Sequence, residues 1–118
     1  MSKRDVRLFL SDILDAISKI ERYTDGLSFS EYEKNDMVVD AVTRNLEVIG
    51  EAAKMIPPEL KTRYSSIEWR RVSGFRDIAI HAYFNVDSEI MWNIATQYLS
   101  TLKAVVTKML SDAEEHQY

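Results

Sequence analysis

The sequence predicts an all-α protein, an up-and-down bundle of four main helices. Three observations predict it. Apolar residues recur at helical spacing over long stretches, turn and breaker residues divide those stretches, and 118 residues suffice for one core that buries about two-thirds of the unfolded chain's surface.

Phe9, Ile13, Ala16, Ile17 and Ile20 stand at i, i+4, i+7, i+8 and i+11, which predicts a first helix from about residue 4 to about residue 24. Asp25-Gly26 ends it, and the polar, mixed stretch to Asn35 reads as a loop with a short helical turn. A second helix follows from about 36 to 56, where Pro57-Pro58 stops it. Its apolar residues Val38, Ala41, Val42, Ile49, Ala52, Ala53 and Ile56 cover an arc wider than the ~100° of a surface helix, so it packs against two neighbours. Asn45 falls in the middle of that arc, a buried polar group that needs partners. The opposite face gathers Asp36, Asp40, Glu47 and Glu51; without the Glu-x-x-His elements of a dimetal bundle, it reads as a solvated face.

Ser65-Ser66-Ile67-Glu68 reads as a capping box that starts a third main helix, which Gly74 interrupts or kinks. Asn85 to Asp87 makes the next turn, with Asp87 as N-cap and Val86 with Met91 as a hydrophobic staple. The last helix buries a stripe of Ile90, Ile94, Tyr98, Leu102, Val105 and Met109. Residues 111–118 are polar, a frayed tail that gives His116 no role. With no repeat and no low-complexity tract, residues 1–118 read as a single domain.

With 46% hydrophobic and 29% charged residues the chain reads as globular, and no apolar run is long enough to span a membrane. The N-terminus turns amphipathic at once and carries no signal-peptide apolar block, so a cytoplasmic location is expected. The absence of cysteine excludes disulfides and thiolate metal sites, and His81 and His116 are the only imidazoles, so neither metal nor cofactor is expected. A net charge of −4 argues against indiscriminate nucleic-acid binding, yet the charge is uneven. Residues 54–76 hold Lys54, Lys61, Arg63, Arg70, Arg71 and Arg76 against Glu59 and Glu68, a local balance of +4 that leaves −8 for the remainder. A basic patch of Lys61, Arg63, Arg70 and Arg71 could track an RNA backbone; ordinary surface charge is the plainer reading.

Chemistry concentrates in Arg76-Asp77-Ile78-Ala79-Ile80-His81-Ala82-Tyr83, which groups a fixed cation, a carboxylate, an imidazole and a phenol. Arginine holds phosphate bidentately and histidine moves protons near neutral pH, a pair that suits phosphodiester cleavage. On a helix Asp77 and His81 share a face, and Tyr83 returns to within about 20° of Arg76, two turns further along. Arg76 and His81 differ by about 140°, so a straight helix does not converge them. Either the helix ends near His81, or a second chain completes the site. The competing reading makes His81 a packed residue among aliphatics and Arg76-Asp77 a surface ion pair.

The octapeptide resembles the signature of HepT-like toxins, the HEPN-fold ribonucleases paired with minimal nucleotidyltransferase antitoxins. Further similarity lies in Arg44-Asn45-Leu46-Glu47-Val48-Ile49-Gly50-Glu51-Ala52, in Trp69-Arg70, in Tyr83-Phe84 and in Trp92, spanning about residue 4 to about residue 105. The resemblance implies a metal-independent endoribonuclease acting as a homodimer, with Arg76 and His81 of both chains lining one cleft and Asp77 as the polar residue that follows the arginine. It also implies a partner nucleotidyltransferase that transfers AMP to Tyr83.

A dimer agrees with the chemistry. In-line attack by a ribose 2′-hydroxyl needs a base, an acid and positive charge on the phosphate oxygens, and a two-fold axis supplies two imidazoles and two guanidiniums. The expected product is a 2′,3′-cyclic phosphate. A nucleotide on Tyr83 would add a phosphodiester charge and an adenosine near Arg76 and exclude RNA; the plain alternative is a core-edge aromatic. Two other functional classes remain: a non-catalytic helical subunit that binds a nucleotidyltransferase, and a structural bundle in which the octapeptide only packs.

Overall fold

The computed structural model describes residues 5–81 and 88–116. The elements in order are α1 (Val6–Thr24), α2 (Phe29–Lys34), α3 (Asp36–Lys54), α4 (Pro58–Arg63), α5 (Trp69–Ser73), α6 (Phe75–His81), α7 (Ser88–Asn93), a π-helical segment (Ile94–Tyr98) and α8 (Leu99–His116). Every one of them is helical, in keeping with the predicted all-α class, although α4 was not among the predicted helices, and no strand occurs among the described residues. One apolar core joins Leu10, Ile13, Ile17 and Ile20 of α1 to Leu46 and Ile49 of α3, Phe75 of α6, and Leu102 and Val106 of α8. No helix among the described residues is long and apolar enough to cross a membrane.

The predicted first helix forms, capped by Asp5, whose carboxylate accepts the Arg7 amide at 2.9 Å. Asp25 (φ −57°, ψ 127°) and Gly26 (φ +75°) then make a type II turn closed by Leu27 N to Thr24 O at 3.1 Å; the positive φ favours glycine there. α2 is the short helix expected before Asn35. Ser28 and Glu31 cap it reciprocally, the Glu31 amide donating to Ser28 Oγ at 3.1 Å and the Ser28 amide to Glu31 Oε1 at 3.0 Å.

α3 packs against α1 and against α5 and α6, the two sides its wide apolar arc predicts. Asn45 is half-buried on it and donates to the Ala41 carbonyl of its own helix at 2.8 Å, so the partner it needs is local. Met55 caps the helix, and Pro57-Pro58 does more than stop it: Pro58 occupies the first turn of α4, where its missing N–H costs nothing.

Three expectations are corrected. Ser65 to Glu68 do not form a capping box. Tyr64 to Ser66 lie in a turn, and α5 begins at Trp69 with no side-chain cap bond from Glu68. Tertiary bonds hold this connection instead: Trp69 Nε1 donates to the Tyr64 carbonyl at 3.1 Å, and the Tyr64 hydroxyl to Asp112 Oδ2 at 2.6 Å. That second bond, with Ala113 buried, ties the last turns of α8 to the core, so residues 111–116 are helical rather than frayed. The last stripe is shifted as well. Ile90 is 47% exposed while Met91 is buried, and Ala95, Leu99 and Val106 face the core beside Ile94, Leu102 and Met109. Met91, Ala95, Leu102, Val106 and Met109 recur at i, i+4, i+11, i+15 and i+18, a helical stripe that starts one residue later than Ile90. The predicted turn at Asn85 to Asp87, the Asp87 cap and the Val86–Met91 staple fall outside the described residues.

Gly74 interrupts the motif helix as expected. Its amide closes α5 on the Arg70 carbonyl at 3.0 Å, and its carbonyl accepts from Ile78 at 3.1 Å to start α6. The octapeptide therefore opens a separate short helix rather than continuing a long one.

Candidate active site

α6 is anchored by its apolar face. Phe75 is fully buried, edge-on to the Tyr98 ring at 5.9 Å between centroids, and Ala79 one turn later is buried too. Arg76, Asp77 and His81 occupy the remaining circumference, with Asp77 and His81 exposed and Arg76 partly so.

The placement of Arg76 depends on Gly50 of α3. A Cβ at Gly50 would lie 2.5 Å from the Arg76 backbone nitrogen and 3.1 Å from the Ser73 carbonyl oxygen, so only glycine lets the α5–α6 junction seat against α3. One residue further along α3, Glu51 receives the Arg76 side chain: Nε donates to Oε1 at 2.7 Å. Asp77 Oδ1 lies 4.0 Å from Nη1. The hydrogen bond to Glu51, followed by the charges of Glu51, Asp77 and Glu47, raises the Arg76 pKa above its ordinary value, so the guanidinium stays charged.

His81 stands apart. On α6 it lies five residues beyond Arg76, about 140° around the axis and about 7.5 Å along it. Asp77 shares its face as the spacing predicts, yet among the described residues no bond joins His81 to Asp77 or to Arg76, and the Asp77 carboxylate is turned to the guanidinium. One chain thus presents the cation and the imidazole in different directions. Tyr83 lies outside the described residues.

The other predicted cations lie on α4 and α5. Arg71 is placed over the Tyr98 ring at 4.2 Å from the centroid, a cation–π contact, and Arg70 is exposed. Lys61, half-buried on α4, has its amine pushed below the usual lysine range by that burial, and Arg63 is exposed in the last turn of the same helix. Beside Glu51, α1 and α3 bound a groove of about 280 Å³ lined by Phe9, Asp12, Arg44, Val48, Glu51 and Met55 among others. Among the described residues no three His, Asp or Glu side chains are grouped to hold a metal ion.

Sequence reasoning missed Glu51 and Gly50. Glu51 read as one more carboxylate of a solvated face, since nothing local links it to an arginine 25 positions away. Gly50 did leave a signal: a glycine inside a helix costs about 1 kcal/mol relative to alanine, which points to a close approach of another backbone.

A family model described as Ribonuclease HepT-like matches residues 13–109. The chain is similar to "Putative RNase MJ0125" of Methanocaldococcus jannaschii, 38% identical over 115 residues that cover 98% of this chain and 99% of that protein. It is 38% identical to "Putative RNase MJ1216" of the same organism, over 97% of this chain and 94% of that one. It is also 37% identical to "Probable ribonuclease HepT" of Thermococcus cleftensis, over 91% of this chain and 97% of that protein. No solved structure matches it.

Proposed function

The chain belongs to the HepT-like ribonuclease family, and on that premise we propose that it is a metal-independent endoribonuclease, the toxin of a toxin–antitoxin pair acting in the cytoplasm. The observation that carries the reading is the presentation of a permanently charged Arg76 and an exposed His81 on one short helix, held against the core by glycine packing. Arg76 binds the scissile phosphate and stabilises the charge that builds on its oxygens; His81 transfers protons. Asp77 supports the guanidinium it lies beside.

The divergence of Arg76 and His81 on α6 supports a homodimer in which one cleft draws on both chains. In the reaction the ribose 2′-oxygen bonds to phosphorus as one imidazole takes its proton. The bond from phosphorus to the 5′-oxygen breaks as a second, protonated imidazole supplies that oxygen with a proton, leaving a 2′,3′-cyclic phosphate and a 5′-hydroxyl. The exposed Arg70 and its neighbours Arg71, Lys61 and Arg63 extend the positive charge along the RNA backbone. A partner nucleotidyltransferase neutralises the enzyme by transferring AMP to Tyr83, whose added charge and bulk would keep RNA from the guanidinium.

The test is cleavage of labelled total RNA in EDTA by the unmodified protein beside Arg76→Ala and His81→Ala. Cutting by the wild type, with each variant reduced by about 10²-fold or more, is expected. A product ending in a 3′-hydroxyl would exclude the 2′-hydroxyl mechanism, and no cutting by the wild type would favour a non-catalytic subunit that binds the nucleotidyltransferase.

A further inference from the structure

We propose that Glu51 is a positioning residue of the site, a fixed clamp that aims the Arg76 guanidinium at phosphate; the inference rests on the ribonuclease reading above. The argument begins with which nitrogen Glu51 takes. A guanidinium offers two forks to an oxyanion, a lateral one from Nε and Nη2 and an end-on one from Nη1 and Nη2. Glu51 Oε1 sits 2.7 Å from Nε, which occupies the lateral side. Asp77, 4.0 Å from Nη1, is beyond hydrogen-bond range, so the end-on fork has no hydrogen-bond partner among the described residues. The end-on fork is the pair that can hold a phosphate bidentately while Glu51 keeps its bond.

Packing converges on the same point. Gly50 fixes where the Arg76 backbone sits, and Glu51, adjacent on α3, fixes where its side chain leads, so one turn of α3 specifies both ends of the arginine. Glu51 is 56% exposed at its side chain and Arg76 38%, so the pair lies at the surface where a phosphate can approach. An exposed ion pair contributes little to stability. Its worth in this position is orientation: an arginine side chain free to change rotamers would present its fork to the phosphate only part of the time.

Glu51→Gln keeps an oxygen that accepts from Nε and removes the charge, whereas Glu51→Ala removes the acceptor. Clamping therefore predicts a split. Both variants lose a negative charge near the phosphate, so KM for RNA stays level or falls in both. In Glu51→Ala kcat falls on the order of 10- to 100-fold, and Glu51→Gln retains most of it. Wild-type cutting by Glu51→Ala, or faster cutting by both variants, would overturn the proposal, the latter by making Glu51 a competitor of phosphate.

A second measurement stands whether or not RNA is cut, and so separates failure of the clamp from failure of the ribonuclease reading. The Arg76 Nε–H resonance, assigned with Arg76→Lys, is expected to be slowed in solvent exchange in the wild type and in Glu51→Gln and fast in Glu51→Ala. Addition of a non-cleavable 2′-O-methyl oligoribonucleotide should leave it protected. Loss of protection on that addition would mean that phosphate displaces Glu51, and the clamp would be refuted.

Discussion

A methyl group at Gly50 would meet the Arg76 amide nitrogen at 2.5 Å and the Ser73 carbonyl at 3.1 Å, and both are backbone atoms that cannot yield unless the α5–α6 junction moves. Gly50→Ala is therefore expected to destabilise the fold by about 1–3 kcal/mol despite alanine's better helix propensity, and to lower cleavage beyond the stability loss because Arg76 shifts. Denaturant midpoints read beside cleavage by the folded fraction check it. Tyr32 is a second residue-scale case. Its ring is fully buried at 5.0 Å from Trp92, while its hydroxyl bonds nothing among the described residues, and burial pushes its pKa up to about 12. The folded state keeps the phenol neutral while the unfolded chain ionises near pH 10, so this contribution is fully present below pH 10 and is lost as pH rises towards 12. Tyr32→Phe keeps the stack, removes the unbonded hydroxyl and should raise stability by about 1 kcal/mol; alkaline melts should also show a smaller loss between pH 10 and 12. At this scale Arg76 and His81 were legible as candidates because their chemistry is local to eight residues. Glu51 was not, because an ion pair between helices leaves no periodic trace.

At the scale of elements, what a helix needs at its start separates two similar tetrapeptides. Ser28-Phe29-Ser30-Glu31 and Ser65-Ser66-Ile67-Glu68 both carry the serine and glutamate of a capping box, yet only the first forms it. After Ser65 the chain is bound by Trp69 and Tyr64 contacts that turn it before a helix can begin. Ser28→Ala is expected to cost about 1 kcal/mol, while Ser65→Ala should change stability by less than about 0.5 kcal/mol, and thermal melts of the pair decide between them. The long helices at 6–24 and 36–54 were readable because their apolar faces repeat over several turns. The π-helical segment at Ile94–Tyr98 was not, since one extra residue in a turn looks in sequence like a small irregularity. Gly74 was readable as a break, and its effect is geometric: α6 starts anew and Arg76 falls in its first turn rather than the middle of a helix.

At the scale of the whole molecule the decisive fact is that α6 directs Arg76 and His81 about 140° apart, so one chain does not bring the two candidate groups together. The fold class was legible from helical periodicity, but this divergence is fixed only once α6 is known to be helical across both residues. Two exposed apolar residues lie at or near the groove: Met55, which lines it beside Glu51, is 57% exposed, and Leu8, next in sequence to the groove residue Phe9, is 48% exposed. In the proposed homodimer one imidazole acts as base and the other as acid, so a cleft needs the histidines of both protomers. Mixing wild-type protein with excess His81→Ala protein, under conditions that let subunits exchange, should then lower cleavage per wild-type chain, because each mixed dimer carries only one of the two imidazoles. The loss should grow with the fraction of mixed dimers and vanish when exchange is blocked by cross-linking each protein beforehand. Two self-sufficient chains would give no loss at any ratio, and a chain that sediments as a monomer while cutting RNA would show that the site is complete without its partner.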